Sequence, residues 1–173
     1  MKSAVGTFIA VLVIGTVFGG MAIAQSTSMM NANIELARKN HEEVWSKGNL
    51  AAADEIYSNE LVRHSADQPV SRGLDAYKQF WVVSRAAFPD WKETVEHVIA
   101  SGDLVATKVT IRGTMTGSWK GPRGTLPPTG KSLEVPCAVF FRIAEGKIVE
   151  IWSYYDSVPF LKAMGLFPPP PPK

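Results

Sequence analysis

One change of hydrophobic periodicity constrains this chain more than any other feature. Up to residue 88, apolar residues recur three and four positions apart, which places them on one face of a helix. From residue 92 to residue 156 they alternate with polar residues, which is typical of strands with one buried face. We predict helices at about Ala32–Lys47, Leu50–Tyr57 and Leu74–Phe88. We predict long strands at Lys92–Ala100, Leu104–Thr116, Ser132–Ile143 and Lys147–Asp156.

Helices followed by a meander of long antiparallel strands indicate an α+β fold. A strongly bent sheet around the helices would make a cone with one pocket. The segment 59–70 is predicted to be irregular, and 117–131 to be a long loop or hairpin excursion. A last helical turn at about Val158–Met164 closes the domain, which we place at residues 33–166.

The two ends of the chain differ from this domain. Residues 1–24 combine Lys2, an uncharged apolar run and an A-x-A cleavage site at Ala22–Ala24, which predicts a signal peptide and therefore export to the periplasm or the medium. An uncleaved membrane anchor is the alternative. Residues 25–32 read as a flexible leader, and 167–173 as a polyproline tail.

Charge and cysteine content exclude several functions. The net charge is +2, and removal of Lys2 with the signal peptide lowers it further, so nothing indicates binding to nucleic acid or, after cleavage, to a membrane. Cys137 is the only cysteine and lies in an apolar strand, which predicts a buried structural thiol. No sequence motif for a metal or a dinucleotide occurs, so we expect neither metal nor cofactor.

The last strand ends in a carboxylate, Asp156. On an alternating strand, Trp152, Tyr154 and Asp156 share one face. A carboxyl group buried in an aromatic pocket has a raised pKa and is suited to proton transfer. A strand-end aspartate that caps the next helix is the alternative.

Five segments in order resemble the SnoaL-like ester cyclases. They are W-S-K-G-N-L-A-A-A-D-E-I-Y at 45–57 followed by His64, F-P-D-W at 88–91, R-G-T-M-T-G at 112–117, P-P-T-G-K at 127–131 and F-R-I-A-E-G-K-I-V-E-I-W-S-Y-Y-D at 141–156. Together they extend over most of the predicted domain. The chain departs from the family at Met115, where histidine is frequent, and in having no histidine on the strand Val135–Ile143.

The resemblance implies the NTF2-like fold, a cone of curved antiparallel sheet packed on three N-terminal helices. It also implies ring closure by intramolecular aldol condensation without metal or cofactor, with an aspartate at the end of the final strand as the acid and base. Asp156 stands at that position, and His64 matches a histidine position of the family. The candidate catalytic residues are therefore Asp156 and His64.

Candidate substrate-binding residues are those expected on the pocket wall: His41, Tyr57, Tyr77, Phe80, Trp81, Trp152 and Tyr154. For each of them, plain core packing is the alternative. Two functions stay open at this point. One is a cyclase or isomerase acting on a small hydrophobic carbonyl compound, and the other is an exported, non-catalytic binding protein for a small hydrophobic ligand. Analogy with the fold further suggests a homodimer formed through the open sheet.

Overall fold

The computed structural model describes residues 23–65, 68–121 and 124–167. The polyproline run and nearly all of the predicted signal peptide lie outside these residues. Within them, no helix is both long enough and apolar enough to cross a membrane.

Most of the helical residues lie before residue 88. Helix α1 includes residues 23–39 and continues without a break into a π-helical segment, Asn40–Ser46. The residues that the structure describes form three further helices: α2 (Ala52–Ile56), α3 (Leu74–Ala87) and α4 (Val158–Ala163). The buried residues of the π-helical segment are Asn40, His41, Val44 and Trp45, so this segment presents one face to the interior. Short π-helical segments often occur at functional sites.

In the described part of the chain, eight strands form two sheets. They are β1 (Tyr57–Ser65), β2 (Gln68–Arg72), β3 (Lys92–Ser101), β4 (Leu104–Thr114), β5 (Trp119–Gly121), β6 (Gly124–Leu126), β7 (Ser132–Ala144) and β8 (Lys147–Tyr155). Six of them make one curved sheet in the order β2-β1-β8-β7-β4-β3, and β5 pairs with β6 separately. All neighbours are antiparallel except β1 and β8, which are parallel.

The long strands bury alternate residues against the helices. In β7, Leu133, Val135, Cys137, Val139 and Phe141 are buried, and the residues between them are exposed or half-buried. This alternation follows from the two-residue period of a strand. The fold is thus the predicted α+β class, with a curved antiparallel sheet that encloses the interior from one side.

Two parts of the chain differ from the sequence prediction. The segment 59–70 is not irregular, because β1 and β2 occupy most of it. The segment predicted as a flexible leader is helical, since α1 already includes residues 25–32. Most side chains of that part of α1 are exposed. It therefore lacks the apolar stripe by which a helix is recognised in sequence.

Candidate active site

A cavity of about 360 Å³ lies between the inner face of the sheet and the helices. Its wall is mainly apolar and aromatic. The aromatic residues that line it are Trp45, Tyr77, Phe80, Trp91, Trp119, Tyr155 and Phe160. A small set of polar side chains shares the wall, among them Asn40, His41, Arg63, Gln68 and Glu93. An apolar cleft of this size with a few convergent polar groups is the usual form of a small-molecule site.

The strongest polar feature of the cavity is a buried pair formed by His41 and Glu93. His41 Nδ1 lies 2.6 Å from Glu93 Oε2, and the side chains are only 1% and 6% exposed. Trp91 Nε1–H donates a hydrogen bond to the other carboxyl oxygen of Glu93 at 2.9 Å. The Glu93 amide donates to Ser46 Oγ at 2.9 Å, which ties β3 to the π-helical segment. Both members of the pair are thus held in place while they line the cavity.

The far side of the His41 ring is also engaged. His41 Nε2 lies 3.0 Å from Thr107 Oγ1, which in turn lies 3.2 Å from the Val139 carbonyl oxygen. Both ring nitrogens of His41 therefore have partners, and these hold the ring in its orientation towards Glu93.

A hydrogen-bonded network supports the pair from the other side. Asn40 Nδ2 lies 3.2 Å from His41 Nδ1, and Asn40 Oδ1 accepts from the Tyr57 hydroxyl at 2.5 Å. Tyr77 and Tyr57 hydroxyl oxygens are 3.2 Å apart, and Trp45 Nε1–H donates to the Tyr77 oxygen at 2.8 Å. Burial raises the pKa of Tyr77 to about 12, so its hydroxyl stays protonated at neutral pH.

Arg63 brings a positive charge to the same cavity. It is 6% exposed, and its guanidinium lies 4.1 Å from the centre of the Phe80 ring. Its Nη1 donates to Gln68 Oε1 at 3.3 Å. In the part of the chain that the structure describes, no carboxylate forms an ion pair with it.

The single cysteine is a wall residue without reactive character. Cys137 is 4% exposed and lines the cavity. Burial raises the pKa of its thiol to about 12, so the nucleophilic thiolate is scarce near neutral pH. The prediction that this cysteine is buried is confirmed.

The placement of Asp156 in a pocket is wrong. In β8 the residues that line the cavity are Ile151, Ser153 and Tyr155, so the alternate residues face the other side of the sheet. Asp156 is exposed, and its Oδ1 accepts a hydrogen bond from the Val158 amide at 2.9 Å. Its carboxylate therefore accepts a backbone hydrogen bond at the start of α4, which agrees with the alternative interpretation of this residue as a helix cap.

His64 lies on the outer face of the sheet as well. Its ring stacks on Trp152 with a centroid distance of 5.5 Å, and its Nε2 lies 2.7 Å from Glu150 Oε1. The parallel pairing of β1 with β8 places His64 directly beside Trp152. The structure thus puts neither predicted catalytic residue on the cavity wall.

The predicted substrate-binding residues separate into two groups. His41, Tyr77 and Phe80 line the cavity. Tyr57 is buried behind the wall, and Trp81 donates its Nε1–H to the Val44 carbonyl oxygen instead. Trp152 and Tyr154 were expected in the pocket, and this is corrected: they lie on the outer face, where Tyr154 is 53% exposed.

Sequence reasoning missed Glu93 and Arg63. Glu93 follows Trp91 and precedes Val95 at two-residue spacing, so a carboxylate interrupts an apolar strand face, and this signal was present in the sequence. Arg63 lies in β1, which was predicted to be irregular, so no face could be assigned to it.

Comparison with known proteins identifies the family. The sequence model of the SnoaL-like polyketide cyclase family matches residues 35–164, and the chain belongs to this family. No curated protein matches the chain.

Solved structures agree with this assignment. A provisionally named SnoaL-like polyketide cyclase from Jannaschia sp. CCS1 is 23% identical with a TM-score of 0.71, and the match covers 81% of this chain and 95% of that one. IdmH from Streptomyces antibioticus, provisionally named a polyketide cyclase, is 28% identical with a TM-score of 0.63 over 77% and 98%. AclR from Streptomyces galilaeus, provisionally named a hydroxylase, is 26% identical with a TM-score of 0.68 over 82% and 86%. Relatives with this fold therefore carry names from more than one reaction class.

Proposed function

We propose that the chain catalyses cofactor-free acid/base chemistry on a small apolar carbonyl compound, either intramolecular aldol cyclisation or a related isomerisation. The observation that supports this is the buried His41–Glu93 pair on the wall of an aromatic cavity. Membership of the SnoaL-like polyketide cyclase family supports the same reaction class. The proton-transfer groups are therefore His41 and Glu93, and no longer Asp156 and His64.

The pair is suited to a proton that is taken up and then returned. As a carboxylate, Glu93 accepts a proton from the carbon next to a carbonyl group, and an enolate forms. The enolate carbon attacks a second carbonyl of the same molecule, and a carbon–carbon bond closes the ring. The new alkoxide then takes the proton back from the pair. The reaction needs no oxidant, and the aromatic wall holds the ends of the molecule close together.

The test measures proton abstraction without requiring the natural substrate. Exchange of the α-hydrogens of 2-tetralone for deuterium in D₂O is followed by NMR, with and without protein. Glu93→Gln should lower the protein-dependent rate by about 10²- to 10⁴-fold, because the base is removed. Glu150→Gln, which alters the partner of His64 on the outer face, is the matched control and should exchange at the wild-type rate.

A non-catalytic carrier of a hydrophobic ligand is the second candidate. The exposure of Asp156 favours it, because the family's acid/base carboxylate position here faces solvent. A carrier would bind 2-tetralone without accelerating exchange, and Glu93→Gln would leave that rate unchanged. Export through the predicted signal peptide, which remains a prediction, would also favour a carrier.

We further propose that the outer face of the sheet joins two copies of the chain. Adjacent strands place large apolar side chains there that remain accessible: Ile99, Leu104, Phe140 and Tyr154. Association would remove this apolar surface from water. Light scattering should give the mass of a dimer, and Phe140→Lys should give a monomer; a wild-type monomer at all concentrations would contradict the proposal.

A further inference from the structure

The cavity wall carries a guanidinium, that of Arg63, for which the described residues provide no ion-pair partner. Only 6% of the Arg63 surface is exposed, and the described residues provide it with no carboxylate partner. Buried charges in proteins are normally paired, because removing an ion from water without a partner costs several kcal/mol. An unbalanced guanidinium on a cavity wall therefore indicates a ligand that supplies the partner.

The guanidinium is held so that its donors remain available. One of its faces lies against the Phe80 ring, and only Nη1 is engaged, by Gln68 Oε1. No buried side-chain nitrogen or oxygen among the described residues lacks a hydrogen-bond partner. The remaining N–H groups of Arg63 therefore reach open space, and Arg63 lines the cavity. An arginine fixed in this way matches the two oxygens of a carboxylate.

The other charged groups of the wall do not pair with Arg63. The Glu93 carboxyl is engaged by His41 at one oxygen and by the Trp91 indole at the other, and it forms no ion pair with Arg63. The remaining lining side chains carry no charge. Arg63 is thus the charged side chain of the wall that has no ion-pair partner among the described residues.

We propose that Arg63 binds the carboxylate of a monoanionic and otherwise apolar ligand. The apolar body of that ligand packs against the aromatic wall, for which Trp119 and Phe160 are available. This inference rests on the same cavity as the proposed function and adds the ligand class. The inference concerns ligand binding and the proposed function concerns turnover, so an experiment can overturn either one without the other.

The test compares two probes of equal shape, 2-naphthoate and 2-naphthamide, by isothermal titration calorimetry on the full chain. The wild type should bind the carboxylate at least about tenfold more tightly than the amide, as expected for hydrogen bonds to a charged group. Arg63→Met should remove this preference while the amide affinity stays the same. Arg112→Met, which removes an exposed arginine, should keep the preference.

Two further variants separate the possible failures. Arg63→Lys keeps the charge but lacks the planar set of guanidinium donors, so it should retain only part of the preference. It replaces Arg63→Met as the test if that variant does not fold. Glu93→Gln should keep the preference even if it abolishes exchange on 2-tetralone. Equal affinity of the wild type for both probes, no binding of either at millimolar concentration, or a preference that survives in Arg63→Met would overturn the inference.

Discussion

A histidine–glutamate pair lies at each face of the sheet, in different surroundings. On the inner face, His41 and Glu93 are 2.6 Å apart and nearly inaccessible, at 1% and 6% exposure. On the outer face, His64 and Glu150 are 2.7 Å apart, at 32% and 27% exposure. Distance alone therefore does not distinguish them. The inner pair differs because it is desolvated, held by further donors and open to a cavity, and these properties make electrostatic interactions strong.

The outer pair is embedded in a surface network instead. Arg142 Nε lies 3.6 Å from Glu150 Oε2, and Arg142 also bonds Asp103. Trp152 stacks on the His64 ring. Such solvent-exposed ion pairs contribute little to stability. His64, which the family resemblance indicated as catalytic, therefore lies on the outer face, where solvent weakens its interaction with Glu150.

Thiol reactivity should show the largest difference between the faces. Cys137 faces the cavity with a pKa of about 12. At pH 8 the native protein should react with iodoacetamide about 10³-fold more slowly than a cysteine of ordinary pKa on the outer face. The control is Ala138→Cys in a Cys137→Ala background, since residue 138 is the next position along β7. Mass spectrometry gives both rates, and similar values would contradict the described burial.

Loss of a carboxylate should affect stability next most strongly. Glu93→Ala leaves His41 and the Trp91 indole without a buried partner, so we expect a loss of about 3–5 kcal/mol in the free energy of unfolding. Glu150→Ala on the outer face should lose less than about 1 kcal/mol. Urea denaturation at pH 7 measures both values. Equal losses would show that burial does not separate the two pairs.

Alkaline pH should lower the free energy of unfolding through the buried tyrosines. Burial raises the pKa of Tyr77 to about 12 in the folded protein, above the value near 10 of an unfolded tyrosine. Because the folded-state pKa is raised, the contribution of Tyr77 to the free energy of unfolding is complete below about pH 10. It is lost as the pH rises towards 12. Urea titrations from pH 9 to 12 should show the decrease, and Tyr77→Phe should make it shallower. A parallel decrease in the free energy of unfolding of Tyr77→Phe and of the wild type would contradict the raised pKa of Tyr77.

Removal of the Asp156 carboxylate should have the smallest effect. Asp156→Ala deletes the hydrogen bond to the Val158 amide, for which we expect a loss of about 1 kcal/mol. The α-hydrogen exchange of 2-tetralone should be unchanged, because the carboxylate faces solvent. A large drop in exchange with normal stability would restore Asp156 as the acid and base.

The fold was predictable from the sequence because its elements are long. Strands β3, β4, β7 and β8 each have at least nine residues and a clear two-residue period. The strand β1 was not predicted, because one of its partners, β8, is about ninety residues away and the other, β2, has only five residues. Local patterns carry no information on such distant contacts.

The site was less predictable because alternation does not say which face is inside. In β8, Trp152 and Tyr154 are larger than Ser153, so their side appeared to be the buried one. The outer face of this sheet also carries aromatic residues, and the assignment was inverted for Asp156. His41 was placed correctly on the inner side of its helix, but its partner Glu93 lies 52 positions away and required the structure.

The variants His41→Gln and His64→Gln distinguish proton transfer at the inner face of the sheet from proton transfer at the outer face. The deuterium exchange rate of 2-tetralone is measured for the wild type and both variants, with folding checked by circular dichroism. We predict that exchange falls at least about 10²-fold in His41→Gln and stays at the wild-type rate in His64→Gln. The opposite pattern, or an unchanged rate in both, would contradict the assignment of the proton-transfer chemistry to the inner face.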